Sequence, residues 1–285
     1  MIKIAVPNKG RLHEPAIQLM NRAGIAVLTD GRRLFAGTSD PGIQVLLVRA
    51  IDIPELVAEG VADLGITGYD VVVESGYEVE LLLNLDFGRA RLVLAVPENS
   101  GISRVEELPQ GTRVATEFPN ISKRFFRERG VEVKVVPLSG ACEIAPHIGL
   151  AETIVDLVST GTSLKMNKLV EVETVLETSA YLIGNREAVR AKQEKVEEVV
   201  TAFSSVLAAK RKKLVMMNVP KQALEEVKKA MPGMAGPTVA EVASEEPMYA
   251  VNAVVDESEV YSLINRVKKL GARDILVLPI ERIIE

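Results

Sequence analysis

The feature that most constrains the fold of this chain is its alternation of short apolar segments with helical patterns. A first series has apolar segments near 2–6, 44–48 and 62–66, with helical patterns at 14–22 and 53–59. Strands that alternate with helices are typical of a sheet with helices packed on it. The series therefore predicts an α/β layer with a largely parallel sheet.

A second series of the same kind follows after a switch near 86–91. It has predicted strands near 91–96, 113–115, 133–137 and 154–158, and predicted helices near 121–129 and 141–148. Two successive α/β units of this kind predict two lobes with a cleft between them. A further helical pattern over 188–210 is expected to return to the first lobe or to lead onward.

The end of the chain has a different rhythm. The patterns predict a strand at 213–217, a helix at 221–230, strands at 238–243 and 248–255, a helix at 258–270 and a strand at 274–280. Gly271 stands just after the last periodic residue, where a helix is expected to stop. The order βαββαβ is that of a ferredoxin-like unit. Because this region has no obvious catalytic constellation, we predict a binding or regulatory role for it.

Composition excludes several classes of function. The formal net charge of −5 argues against a nucleic-acid-binding face. Two histidines and one cysteine are too few for a Cys/His zinc site, so any metal should be a hard cation bound by oxygens. Charges, prolines and glycines interrupt every apolar run, so no membrane span is expected. The single cysteine excludes an intrachain disulfide and predicts a cytoplasmic location.

The segment 153–164 carries the pattern that points most directly to chemistry. An apolar strand containing one acid, Asp156, runs into a loop formed by Ser159, Thr160, Gly161, Thr162 and Ser163. Small side chains let backbone N–H groups approach an anion, and glycine permits a positive φ in the turn. The pattern fits two interpretations equally well: a phosphate site, and a hydroxyl-rich turn that caps a helix. No Walker A sequence occurs, so the loop does not resemble a P-loop.

Several motifs, in order and spacing, resemble those of the ATP phosphoribosyltransferase family, whose members catalyse the first step of histidine biosynthesis. The motifs are Val6-Pro7-Asn8-Lys9-Gly10-Arg11-Leu12, Asp63-Leu64-Gly65-Ile66-Thr67-Gly68-Tyr69-Asp70, Ala115-Thr116-Glu117-Phe118-Pro119-Asn120 and the segment Glu143 to Leu164. Two departures are visible: Ser163 stands where the family usually has Thr, and Phe118 where it usually has Tyr. The terminal region makes the chain similar to the long, histidine-regulated form.

The resemblance implies a two-lobed, periplasmic-binding-protein-like catalytic region followed by an α+β ferredoxin-like (ACT-like) domain. It places lobe I at 1–89, completed by about 180–210, lobe II at 90–179 and the regulatory domain at 211–285. It further implies a homo-oligomer, with dimers and hexamers. The reaction implied is transfer of the phosphoribosyl group of phosphoribosyl pyrophosphate to N1 of ATP, with pyrophosphate released. The alternative is a two-lobed solute-binding or sensor protein without catalysis.

Roles for individual residues follow from the same resemblance. The loop 159–163 should hold the 5′-phosphate of the donor, while Glu143 and Asp156 should hold ribose hydroxyls. Mg²⁺ should arrive with pyrophosphate oxygens and take no dedicated protein ligands. Contacts to ATP or pyrophosphate are expected from Lys9, Arg11, Arg32, Arg49 and Asp70. Regulatory histidine is expected to contact Asn218, Met234, Thr238, Asn252 and Ala272.

Simpler roles stay open for some of these residues. The alternative role for Lys9 and Arg11 is that of solvated loop charges, and for Arg32 that of a surface residue beside Arg33. Asp70 is also suited to cap a helix that starts at Val71.

Overall fold

The computed structural model describes residues 1–28, 34–231 and 236–284. The strands it contains are β1 (Ile2–Pro7), β2 (Val27–Leu28), β3 (Phe35–Thr38), β4 (Ile43–Val48), β5 (Leu64–Gly68), β6 (Glu80–Asn84), β7 (Ala90–Pro97), β8 (Thr112–Thr116), β9 (Val133–Pro137), β10 (Thr153–Val158), β11 (Leu169–Thr178), β12 (Ala180–Gly184), β13 (Lys212–Pro220), β14 (Thr238–Val242), β15 (Met248–Asp256) and β16 (Arg273–Pro279). The helices are α1 (His13–Arg22), α2 (Ile53–Ala58), α3 (Tyr69–Ser75), α4 (Pro119–Glu128), α5 (Thr162–Met166), α6 (Arg186–Ala191), α7 (Gln193–Ala209), α8 (Leu224–Ala230) and α9 (Glu257–Lys269).

The chain divides into two compact units, Met1–Val200 and Thr201–Glu285. The first unit contains two sheets, which form its two lobes. The sheet of the first lobe has the strand order β2-β3-β4-β1-β5-β12-β6, and β1 pairs in parallel with both β4 and β5. The other pairs in this sheet are antiparallel, so the expectation of a largely parallel sheet is wrong outside its centre.

The chain path explains the mixed pairing. Parallel neighbours need a crossover connection, usually a helix. Strand β12 instead arrives from the second sheet, with only Ser179 between it and β11. It therefore runs antiparallel to β5 when it completes the first sheet. The other crossing between the lobes is the segment 85–89, between β6 and β7.

The second lobe is built on a sheet with the order β11-β7-β10-β8-β9. Strand β8 is parallel to both β9 and β10, and β7 is antiparallel to β10 and β11. The helix predicted at 141–148 is wrong, since only a short 3₁₀ turn forms there, at Cys142–Ile144. Pro146 cannot donate a backbone hydrogen bond inside such a helix, and Gly149 has φ +70°.

The second unit contains the ferredoxin-like fold that the element order predicts. Its sheet has the order β14-β15-β13-β16, and every neighbouring pair is antiparallel. Helices α8 and α9 cover one face through a core that includes Val215, Leu263 and Val267. The predicted class, a two-lobed α/β region followed by an α+β ferredoxin-like domain, is confirmed. Within the described ranges, no helix is both long and apolar enough to cross a membrane.

Candidate functional site

The two loops at the centre of the second lobe emerge at one edge of its sheet. Strands β8 and β10 are parallel, with Val155 opposite Thr116, so their carboxyl ends meet. Ligands bind preferentially at this edge of α/β sheets. Glu117 follows β8, and residues 159–163 follow β10. The predicted phosphate loop therefore lies beside a second loop that carries an acid.

The loop after β10 is open to an anion. Gly161 has φ +75° and precedes α5, and none of the hydroxyls caps that helix. Among the described residues, no amide of 159–163 donates a hydrogen bond to another protein group. The hydroxyls bond within the site, with 3.1 Å between the Oγ1 atoms of Thr160 and Thr162. Five backbone donors without an acceptor among the described residues favour the anion-site interpretation over the helix-capping one.

Three carboxylates lie next to this loop. Glu143 Oε1 accepts a hydrogen bond of 2.9 Å from the Ser163 hydroxyl. Asp156 is partly buried in β10, and this burial raises its pKa to about 6, although the Leu157 N–H lowers it. The negative charges of Glu143 and Glu117 are smaller causes of the same rise in the pKa of Asp156.

Glu117 is the site residue that sequence reasoning missed. It belongs to the motif 115–120, and the signal that could have identified it is its position directly after the strand β8. Its Oε1 atom lies 3.4 Å from where a Cβ on Gly140 would stand. Because the charges of both Glu117 and Glu143 act on Asp156, the three carboxylates form one acidic cluster.

The neighbouring Cys142 is unsuited to nucleophilic chemistry. The residue is 1% exposed. Burial, followed by the charges of Asp156, Glu117 and Glu143, raises the pKa of its thiol to about 12. Because the thiolate is the reactive form, this thiol is inert at neutral pH.

Strands β1, β4 and β5 of the first lobe bring further predicted residues to one edge. These strands are parallel, and Lys9, Arg49 and Asp70 follow their carboxyl ends. Lys9 is exposed and has no ion pair with any residue that the structure describes. Arg49 is also exposed, and its Nε and Nη2 atoms each lie 2.9 Å from an Asp52 oxygen. Among the described residues, Arg49 is therefore paired with a carboxylate and Lys9 is not.

Asp70 lies inside the first lobe and is not a helix cap. Helix α3 begins one residue before it, and its side chain is 3% exposed. Its Oδ1 accepts a 2.8 Å hydrogen bond from the Thr178 hydroxyl, and its Oδ2 lies 3.4 Å from Arg11 Nη2. Arg11 also donates to the carbonyl oxygen of Gly88, in the crossing segment 85–89. Asp70 thus orients Arg11, and the structure gives its carboxylate no open side.

A cavity of about 500 Å³ adjoins the loop after β10 within the first unit. The aromatic side chains of Tyr69 and Tyr181 line it, and their ring centroids are 5.5 Å apart. Among its other lining residues are Asn84, Arg89, Arg91, Ser159, Glu177, Thr178 and Ser179. Polar side chains therefore line the space next to Ser159.

The predicted residues of the second unit divide into groups. Thr238 and Asn252 are directly opposite each other on β14 and β15, on the sheet face away from the helices. Asn252 Oδ1 is buried without a hydrogen-bond partner among the described residues. Asn218 Nδ2 donates to Asp274 Oδ2 at 2.9 Å, and Ala272 is buried in the core.

Two predicted contacts, Arg32 and Met234, lie outside the described residues. Within the described ranges, no group of three or more His, Cys, Asp or Glu side chains is arranged to hold a metal ion.

Comparisons with known proteins agree along the whole chain. A family model described as ATP phosphoribosyltransferase matches residues 49–205, and one described as HisG, C-terminal domain, matches residues 209–282. The ATP phosphoribosyltransferase of Methanopyrus kandleri is 56% identical over 285 residues, which is 100% of both chains. That of Methanothermobacter thermautotrophicus is 54% identical over 284 residues, 99% of each chain.

One solved structure carries the likeness into three dimensions. It is the ATP phosphoribosyl transferase (HisG:HisZ) complex from Thermotoga maritima, with a TM-score of 0.64 and 30% sequence identity. The match covers 72% of this chain and 97% of that chain.

Proposed function

Since the chain belongs to the ATP phosphoribosyltransferase family, we propose that it transfers the phosphoribosyl group of phosphoribosyl pyrophosphate to N1 of ATP, the first step of histidine biosynthesis. The bond from N1 of ATP to C1 of the ribose forms as the bond from C1 to the pyrophosphate oxygen breaks. Pyrophosphate leaves with the electron pair. This single displacement needs no protein nucleophile, which is consistent with the buried, protonated thiol of Cys142.

One observation carries the assignment of the donor site. The backbone amides of residues 159–163 have no hydrogen-bond acceptor among the described residues, although they follow a buried strand. A dianionic 5′-phosphate supplies several strong acceptors at once, and such turns of successive N–H groups bind anions. We assign the 5′-phosphate to this loop, with the hydroxyls of Thr160 and Thr162 as further donors.

The acidic cluster is assigned to the ribose. Asp156, Glu143 and Glu117 offer carboxylate oxygens, which accept hydrogen bonds from sugar hydroxyls. Their negative charge also favours the positive charge that develops at C1 in an oxocarbenium-like transition state. Above about pH 6, Asp156 is mainly ionised and can play both roles.

Lys9, Arg11 and Arg49 are assigned to ATP phosphates or pyrophosphate, with Arg32 as a further candidate. Support comes from their place after parallel strands of the first lobe and from Asp70, which orients Arg11. Mg²⁺ is assigned to the substrates, because phosphate oxygens are its preferred ligands. When bound, it would neutralise charge on the departing pyrophosphate.

Feedback by histidine is assigned to the second unit, in keeping with its match to the C-terminal domain of the family. On the sheet face away from the helices, which carries Thr238 and Asn252, the Asn252 Oδ1 atom is buried and has no donor among the described residues. An amino acid's ammonium group could fill that need. Asn218, Ala272 and Met234 stay proposed neighbours of the ligand.

A homo-oligomer, as a dimer and a hexamer, is part of the same proposal. Leu276 and Leu278 on the edge strand β16 are 57% and 38% exposed, and a second copy of the chain would cover them. We also keep the functional division into lobe I (1–89, completed by 180–210), lobe II (90–179) and a regulatory domain (211–285). A cytoplasmic location is supported by the lone cysteine.

The direct test is turnover with ATP, phosphoribosyl pyrophosphate and Mg²⁺, followed by the absorbance of phosphoribosyl-ATP with and without histidine. Gly161→Val should impair donor binding, because a β-branched residue disfavours φ +75° in the loop. The matched control is Gly111→Val, since Gly111 also has φ +75° but lies away from the site.

Both variants carry the same backbone strain, so only the first should lose donor affinity while keeping histidine binding. Equal donor affinity in the two variants would refute the loop assignment. Absence of turnover together with tight binding of a different solute would favour the alternative, a solute-binding or sensor protein.

A further inference from the structure

A carboxylate from the first lobe caps the N-terminus of helix α4 in the second lobe. Glu74 lies in α3, and its Oε1 accepts from the Asn120 N–H at 2.9 Å. Its Oε2 accepts from the Ile121 N–H at 2.9 Å and from the Asn120 N–H at 3.1 Å. The Asn120 side chain completes the contact, with Nδ2 donating to the Glu74 carbonyl oxygen at 3.0 Å.

The start of α4 has no acceptor of its own for these amides. The first N–H groups of a helix lack intrahelical partners and need a cap. The N-cap residue, Phe118, makes no capping hydrogen bond with its side chain, and the first turn contains no acidic residue. A carboxylate at this end is also favoured by the helix dipole. Glu74 therefore supplies the whole cap from 46 residues away.

The capped turn is continuous with the acidic cluster. Only residues 117 and 118 separate β8 from α4, so fixing Asn120 limits where the Glu117 carboxylate can stand. That carboxylate lies close enough to Asp156 to raise its pKa. Helix α3 also carries Asp70, which orients Arg11. One short helix of the first lobe thus contacts Arg11, which is assigned to phosphate, and the first turn of α4, which follows Glu117.

We propose that Glu74 is a positioning residue for phosphoribosyl transfer, which holds Glu117 in place by capping α4 across the two lobes. The inference rests on the proposed function, because it assigns Glu117 to the donor's ribose. Glu74 itself touches backbone amides and no substrate. Its effect should therefore appear in donor use and pass through Glu117.

The test compares Glu74→Ala and Glu74→Gln in the full chain with Glu78→Gln, whose side chain is 87% exposed on the same lobe. Misplacement of a catalytic group by about 1 Å can cost about 100-fold. Glu74→Ala should lower kcat/KM for phosphoribosyl pyrophosphate by about 10- to 100-fold and change KM for ATP by less than about 3-fold. Glu74→Gln, which keeps one acceptor oxygen, should fall between Glu74→Ala and the parent protein. Glu78→Gln should match the parent.

A double-mutant cycle with Glu117→Gln separates positioning from stability. If Glu74 acts through Glu117, kcat/KM for phosphoribosyl pyrophosphate in the double variant should lie within about 2-fold of its value in Glu117→Gln alone. The inference would be overturned if the losses in kcat/KM of the two single variants multiplied in the double variant. It would also be overturned if Glu74→Ala melted at a lower temperature but kept its kinetic constants. Failure of the parent protein to make phosphoribosyl-ATP would instead count against the proposed function, so the two failures are distinguishable.

Discussion

Replacing Asp156 by Asn should stabilise the substrate-free protein while removing donor binding. Burial is the main reason that the pKa of Asp156 rises from its ordinary value of 3.8 to about 6. A raised folded-state pKa means that the folded chain binds this proton more tightly than the unfolded chain does. The associated stability is present below about pH 4 and is lost as the pH rises through about 6.

The size of the effect follows from the two pKa values. One pKa unit corresponds to about 1.4 kcal/mol, so ionised Asp156 costs the folded state at most about 3 kcal/mol at about pH 8. Asn keeps the shape and an oxygen for the Leu157 N–H, which donates to Asp156 Oδ1 at 2.7 Å. Allowing for partial solvation, we expect a gain of about 1–3 kcal/mol for Asp156→Asn at about pH 8, and almost none at about pH 4.

The assay is calorimetric unfolding of the full chain without substrates at several pH values. The midpoint of the transition that belongs to the first unit should be higher for the variant above about pH 7, and the curves should converge on acidification. Titration with phosphoribosyl pyrophosphate should stabilise only the parent protein. A variant that is less stable at every pH, or a difference that does not change with pH, would refute the reasoning.

Three other substitutions test the fold. Glu107→Gln should lower the melting temperature above about pH 4.5 and lose that effect toward about pH 2. The reason is that N–H groups, chiefly that of Ser103, donate to the Glu107 carboxylate and lower its pKa to about 2. A difference in melting temperature that does not depend on pH would contradict this. Gly65→Ala should cost about 1–3 kcal/mol in urea unfolding, since its Cβ would stand 2.5 Å from the Ile53 Cγ2 atom. Phe126→Ala should cost about 3–5 kcal/mol by the same measurement, because Phe126 is 1% exposed; a loss below about 1 kcal/mol would show that the core of the second lobe relaxes around the gap.

Much of the candidate site could be predicted because its pieces are local in sequence. The loop 159–163 follows an apolar strand and contains the glycine that its turn requires, so strand, turn and helix were visible within one segment. The resemblance then attached roles to Asp156 and Glu143. The structure adds that the loop's amides have no hydrogen-bond acceptor among the described residues, which no local pattern can state.

Other parts depended on partners far along the chain. Glutamates and threonines interrupt β11 as an apolar pattern, and this strand was missed. Strand β12 was missed although it is apolar, because it pairs with β5 from more than a hundred residues away. The sequence predicts that Asp70 is a helix cap or a substrate contact. In the structure its carboxylate instead contacts the Thr178 hydroxyl and Arg11.

The two α/β series, the ferredoxin-like order and the loop after β10 can all be predicted from the amino-acid sequence alone. Each of these follows from periodicity, turn chemistry or adjacent motifs, which act over a few residues. Three features depend on how distant segments pack together: the mixed pairing of the sheets, the place of Glu117 in the acidic cluster and the cap that Glu74 provides for α4. These arise where segments tens of residues apart meet, and their hydrogen-bonding needs are satisfied by groups that no local pattern identifies.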